Sequence, residues 1–264
     1  MNVETEAIIL RQTRLLGGRR LLHLFTREQG RMTAGAYARG RGRQRSTLAL
    51  QPFTRGQYVI RRRGRSSTIV SAEEIHSYYG LGEDVDKYFA ASRCLELAAA
   101  MVQEEQPAPG LYDLTVSLLT ELERRRGRCG TLVLAFETKA LQEIGLLPEL
   151  NRCVSCGSTG QAAAFSVPGG GVLCADCRRR EEAEAAAKGQ NDRLIYDIDF
   201  GIMSVLKYFL TNPLQSLKKL ALKEEIEDRT ETILREYIRY HLDLRSLRSE
   251  EAAEPHTARS KEGG

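Results

Sequence analysis

The chain has 264 residues, 42% of them hydrophobic, which is long enough for two cored domains and too apolar for general disorder. A formal net charge of +4 conceals a division: residues 1–80 hold fifteen Arg, no Lys and five acidic residues, a formal +10, and the remainder sets 24 basic residues against 30 acidic, a formal −6. With no run of about 18 apolar residues no membrane-spanning helix is expected, and with no secretion signal read at the N-terminus the six cysteines are expected to stay reduced rather than form disulfides.

The first 80 residues alternate as short strands broken by glycine. Residues 7–10 lead a first run, Gly17 and Gly18 break it, and Leu21, Leu22, Leu24 and Phe25 form a second before Gln29 and Gly30 turn the chain. Further runs occupy residues 32–37, 53–62 and 68–75. Five such strands predict a small barrel, and the spacing fits an OB-fold and an SH3-like barrel equally.

Arginine clusters fall at the ends and turns of these runs. Arg19 and Arg20 follow the first turn. Arg39, Arg41, Arg43 and Arg45 alternate with Gly40, Gly42, Gln44 and Ser46, and Arg61, Arg62, Arg63 and Arg65 surround Gly64. Guanidinium groups take phosphate oxygens bidentately, and few carboxylates lie nearby to neutralise them. The expected partner is nucleic acid rather than an anionic membrane, since the region has no long basic amphipathic helix. Phosphate contacts without base readout imply binding that tolerates many sequences and weakens steeply with salt. Phe25, Tyr37, Phe53 and Tyr58 are candidate stacking aromatics, although packing the barrel core is the stronger expectation for each.

Past Gly82 the period becomes helical. Tyr88, Phe89, Leu95, Leu97 and Met101 form one stripe, and Leu111, Leu114, Leu118, Leu119 and Leu122 form a second after Pro107 and Pro109. A third helix over residues 132–144 stops at Gly145 and Pro148, a short one covers residues 202–210, and a long one covers residues 230–247. Residues 81–249 are therefore expected as a mainly helical domain, and residues 250–264 as a disordered polar tail.

Cys153 and Cys156 form one Cys-x2-Cys knuckle and Cys174 and Cys177 another, with seventeen residues between the inner pair. This is four-thiolate zinc spacing, because each two-residue gap lets a tight turn aim both sulfurs at one ion. Four thiolates fill a tetrahedral shell and leave no position for water, so one structural Zn2+ is expected within a module over residues 150–180. Gly157, Gly169, Gly170 and Gly171 supply the permissive backbone such turns require. Cys94 reads as a small core residue, and Cys129 has no assigned role.

No nucleotide-binding phosphate loop, nucleophile elbow, His-Glu-x2-His site or zinc deaminase signature is present, so no enzymatic activity is expected. His23, His76, His241 and His256 are each expected to be structural or solvated.

Taken together, the residues resemble the RecO family of bacterial recombination mediators. The match runs through Ala7, Ile8 and Leu10; Gln29, Gly30 and Arg31; Gly40, Arg41 and Ser46; and Leu50, Gln51, Pro52 and Phe53. It resumes at Phe136 and Glu137, at Gly145, Leu147 and Pro148, through the four knuckle cysteines, and ends at His241, Leu242, Leu247, Arg248 and Ser249. The basic loop departs from the family pattern at Gly42. The resemblance implies an α+β protein: an N-terminal five-stranded OB-fold barrel, then a mainly helical domain with an embedded four-cysteine zinc module. It further implies binding of single- and double-stranded DNA, annealing of complementary strands, and work with RecR to load RecA onto DNA coated by single-stranded DNA-binding protein, in a pathway shared with RecF. The expected location is the cytoplasm, at the nucleoid. An RNA-binding factor of translation or ribosome assembly fits charge and cysteine spacing equally well; only the resemblance separates the two.

Overall fold

The computed structural model describes residues 1–37, 48–64, 66–187, 194–217, 220–244, 247 and 249. Five strands come first: β1 (Asn2–Arg14), β2 (Arg19–Thr26), β3 (Gly30–Tyr37), β4 (Thr54–Arg63) and β5 (Ser66–Ser77). They close a barrel in the order β1-β2-β3-β5-β4, antiparallel except where β3 meets β5. That parallel seam is the single pair Gly35 and Thr68, so closure there is narrow, as in the partly open Greek-key barrel of the OB-fold.

β1 serves two neighbours. Residues 2–8 pair with β4 and residues 7–14 with β2, and the register shifts between Ile9 and Arg11. The bulge bends the strand at the barrel's corner. Before it, Ala7 and Ile9 alternate into the barrel core, and Ile8 between them is buried outside that core cluster. β4 keeps strict alternation, with Thr54, Gly56, Tyr58 and Ile60 inward. Ile9, Leu22, Leu24, Tyr58, Ile60 and Ile69 make up much of the barrel core, and the Tyr58 hydroxyl donates to the Ala49 carbonyl at 2.6 Å.

Two helices follow, α1 (Val85–Met101) and α2 (Pro109–Arg124). The Asp84 side chain caps α1 by accepting from the Lys87 amide, and Pro109 starts α2, where its missing N–H costs nothing. By packing, both helices belong with the barrel: Met1–Gly127 forms one compact unit, together with the chain from Leu247, and Arg128–Ser246 forms the other. Tyr112 meets Phe25 edge to face at 5.3 Å and donates to Glu6 Oε1 at 3.0 Å. Arg31 Nη1 donates to the Ala99 carbonyl near the end of α1, and the connection between the helices bridges to Gly30 and Arg31. Gly30 has φ +67, and a Cβ there would lie 2.0 Å from the Gln106 carbonyl oxygen, so any other residue would force this connection off the barrel.

The second unit contains α3 (Gly130–Glu143), α4 (Ala175–Ala187), α5 (Phe200–Thr211) and α6 (Glu224–His241), with a sheet ordered β7-β6-β8 from β6 (Ala162–Ser166), β7 (Gly171–Cys174) and β8 (Ile195–Asp197). α3 is buried nearly all round. In place of its own N-cap side chain, α3 has the buried Glu227 of α6 at its start, which accepts from Thr131 Oγ1 at 2.7 Å and lies 3.3 Å from Arg128 Nη2. α6 turns Ile233, Leu234, Tyr237 and Ile238 inward and carries acid in its first turn and Arg239 and His241 in its last, matching the helix dipole.

The last helix differs from its expected bounds, residues 230–247. Its first turn is polar and shows no stripe, and Asp243, at φ +51, turns the chain out of the helix just after His241. α4 was not expected either: it is polar on all sides and gives periodicity nothing to detect.

Candidate nucleic-acid interface and metal centre

Strand register decides where the arginines meet. Arg14 pairs across the first hairpin with Arg20, and Arg19 with Tyr37 at the end of β3. Gly35 of β3 joins Thr68 of β5, and Thr68 pairs with Arg61, Ser67 with Arg62 and Ser66 with Arg63. The β1–β2 turn, the end of β3 and the β4–β5 turn therefore share one end of the barrel. Arg19 reaches along this end: its Nη2 lies 3.8 Å from where a Cβ on Gly35 would sit. Arg39, Arg41, Arg43 and Arg45 belong to residues 38–47, outside the described residues, as does Arg65; the end of β3 leads directly into that segment.

Charge is committed at some of these positions and free at others. Arg27 donates to both oxygens of Asp113 at 3.0 and 2.9 Å, Arg55 to Glu6 at 2.7 Å, and Arg62 to Glu105 at 2.7 Å. The hydrogen bond from Arg27 outweighs partial burial and holds the Asp113 carboxyl below its usual range. Arg14, Arg61 and Arg63 are exposed and, among the described residues, have no carboxylate partner. Like charges directly opposite on neighbouring strands are destabilising. The Arg14 and Arg20 pair is thus a place where an anion would relieve strain.

The sequence pattern named Arg19, Arg20, Arg61, Arg62 and Arg63 as phosphate contacts, and strand register adds Arg14 to the same end of the barrel. Its signal was available: a Gly-Gly turn sets Arg14 opposite Arg20. Arg62 is the weakest of that set, since Glu105 already holds it. Among the aromatics, Phe25 and Tyr58 are fully buried, and Phe53, at φ +61, meets Tyr88 edge to face at 5.7 Å. The histidines within the described residues have structural partners: His23 with Arg11, His76 with Glu123, and His241 Nε2 donating to the Val167 carbonyl.

The four knuckle cysteines converge from three places. Cys153 and Cys156 lie on the turn before β6, Cys174 ends β7, and Cys177 sits in the first turn of α4. Their sulfurs all lie within 4.8 Å of one another. Gly157, at φ +76, donates its N–H to the Cys153 carbonyl at 2.8 Å and closes the first knuckle. The intervening chain, expected only as a loop, forms the β6–β7 hairpin that sets the second knuckle against the first. Cys153, Ala164, Leu173 and Cys177 make a small apolar cluster behind the sulfurs.

The donor set fits a four-thiolate metal centre. Burial opposes charge on Cys153, but backbone N–H groups of Cys174, Cys156 and Ser155 overcome it and lower that thiol to about 6. At Cys177 the Ser155 hydroxyl favours the thiolate, yet burial and the sulfurs of Cys156, Cys174 and Cys153 win and push it up to about 12. Four sulfurs this close cannot all ionise without a cation among them. Arg180 supports the rim, donating to Ser155 Oγ at 2.7 Å and approaching Cys177 Sγ at 3.5 Å.

Comparison with known families gives two matches that meet between the barrel and α1. The family described as "Recombination protein O N terminal" matches residues 1–78, and "Recombination protein O C terminal" matches residues 82–251. The chain belongs to the RecO family. A DNA repair protein RecO of Pelotomaculum thermopropionicum is 31% identical over 247 residues, covering 93% of this chain and 91% of the relative. RecO of Desulforudis audaxviator is 30% identical over 241 residues, 91% of this chain and 92% of the relative, and that of Myxococcus xanthus is 28% identical over 244 residues, 92% and 93%. Membership of RecO carries a role in DNA repair and recombination. No helix among the described residues is long and apolar enough to cross a membrane.

Proposed function

We propose that this chain is a non-enzymatic recombination mediator. It binds single- and double-stranded DNA at the arginine-bearing end of the barrel, anneals complementary strands, and with RecR promotes RecA loading onto DNA coated by single-stranded DNA-binding protein, in the cytoplasm at the nucleoid. RecF is a further member of the pathway. The observation that carries this reading is the convergence, by strand register, of Arg14, Arg19, Arg20, Arg61 and Arg63 at the end of an OB-like barrel in a RecO chain. The turns between strands 1 and 2 and between strands 4 and 5 are the ones OB-folds use for oligonucleotides. Family membership favours DNA over the RNA factor, which charge and cysteine spacing had left level.

Annealing requires phosphate repulsion to be neutralised while base edges stay free to pair. Arginines that grip backbones do this without turnover. Cys153, Cys156, Cys174 and Cys177 would hold one Zn2+, which supplies folding stability to the second unit and no reactive position. The direct test is annealing of complementary strands precoated with the cognate single-stranded DNA-binding protein, with and without RecR. Acceleration over uncatalysed annealing supports the reading, and failure in both conditions removes it.

A further inference from the structure

The β1–β2 turn carries a feature that charge does not explain. Between Arg14 and Arg19 the chain reads Leu15, Leu16, Gly17, Gly18; Leu16 is 97% exposed and Leu15 43%. The turn is built rather than loose: the Leu15 N–H donates to the Arg19 carbonyl at 2.8 Å. Gly17 and Gly18 follow at φ +73 and +72, with nothing within 4 Å of a Cβ on either. The glycines are thus required by the backbone conformation and not by a neighbour. The two left-handed residues reverse the chain immediately after Leu16 and leave its side chain at the tip of the hairpin. A short polar residue would make the same turn without exposing apolar surface to water.

The tip's surroundings identify its partner. Arg14 and Arg20 face each other across the hairpin, with Arg19 beside them. From Ala7 to Arg27 no acidic residue interrupts this stretch. An apolar point at the end of a hairpin that carries Arg14, Arg19 and Arg20 fits a ligand that presents anionic groups beside an apolar face, as a nucleic-acid strand does where a base is unstacked. Aliphatic side chains recur as wedges at broken base steps, where flanking arginines hold the phosphates.

We infer that Leu16, backed by Leu15, packs against the exposed base face at a single-strand end or a single-strand/duplex junction, while Arg14, Arg19 and Arg20 hold the adjoining phosphates. The inference rests on the DNA-binding reading above and deepens it: the arginines set affinity for any strand, and the leucine tip sets preference for unstacked bases. It places the chain's contact where an annealing duplex is growing.

The test uses the full chain, its Leu16→Ser variant and its Leu16→Phe variant. DNA probes are a blunt duplex and a forked junction with 2-aminopurine at the first unpaired position. Wild type is expected to bind the junction more tightly than the blunt duplex and to change the 2-aminopurine fluorescence on binding. Leu16→Ser is expected to lose about tenfold in junction affinity, the scale of one buried leucine side chain. Its blunt-duplex affinity and its dependence on salt should stay within twofold of wild type. Leu16→Phe should keep the fluorescence change. Equal junction affinity for wild type and Leu16→Ser overturns the inference while leaving the DNA-binding reading intact, as does an equal loss on both DNAs. Binding of wild type, but not Leu16→Ser, to phosphatidylglycerol vesicles with unchanged junction affinity would assign the tip to lipid and overturn it as well. Absence of any DNA binding by wild type overturns both.

Discussion

The arginine-bearing end of the barrel and the four-cysteine cluster are opposite solutions to holding charge. At the barrel end the charged groups are exposed and spread over two turns, and three of them lack an internal partner among the described residues. At the cysteines, four donors lie within 4.8 Å of one another, two of them buried, with backbone N–H groups already aimed at the Cys153 sulfur. An open array of like charge suits a long polyanion that must come and go. A closed, crowded donor set suits one small cation that stays. The first site should therefore respond to salt and the second to chelation.

The largest expected effect lies at the cysteines. Metal affinity at structural zinc sites is on the order of 10 kcal/mol of folding free energy. Cys153→Ser should reduce zinc below about half an equivalent and lower the melting temperature more than any substitution at the barrel end; metal analysis of chelator-free protein and a thermal melt check both. Full zinc retention by this variant would mean that the donors do not act as a set.

Next comes Glu227→Ala. It removes a buried carboxylate from Thr131 and from the start of α3, and is expected to cost about 1–3 kcal/mol in urea unfolding. An unchanged midpoint would remove Glu227 from the account of how α3 begins.

Arg62→Ala sharpens the contrast within the barrel end. Because Arg62 is held by Glu105, its removal should change single-strand affinity less than removal of exposed Arg61, by filter binding or anisotropy at one salt concentration. The reverse order would show that the ion pair opens on binding.

The smallest effect is at Asp113. Its folded-state carboxyl lies below the ordinary value of 3.8, so the stabilisation is present above that pH and is lost as pH falls through the lower folded value. Asp113→Asn should therefore melt slightly below wild type at pH 7 and together with it in acid well below pH 3.8. A difference that persists there would assign the effect to something other than ionisation.

Much of this was legible in the sequence because the signals were periodic or spaced. The strands of the barrel, α1 to α3 and α5 follow from alternation and apolar stripes. The cysteine knuckles follow from their two-residue gaps. What was not legible depends on partners distant in sequence. α4 has no apolar face, and β6 to β8 are too short to establish alternation. Nothing local told Arg62, which is committed to Glu105, from Arg61 and Arg63, which are not. Nor did periodicity show that α1 and α2 pack with the barrel. That depends on Tyr112 meeting Phe25 and on the Gln106 backbone lying against Gly30.

The barrel end is expected to bind strands by neutralising phosphates. The most direct measurement is single-strand affinity against salt for wild type and for the combined Arg14→Ala, Arg61→Ala, Arg63→Ala variant. Each phosphate contact contributes about 0.7 to the slope of log affinity against log salt on single strands. The variant is expected to bind more weakly, with a slope shallower by about 2 and with zinc content unchanged. Equal affinity and equal slope for the two proteins would contradict the claim.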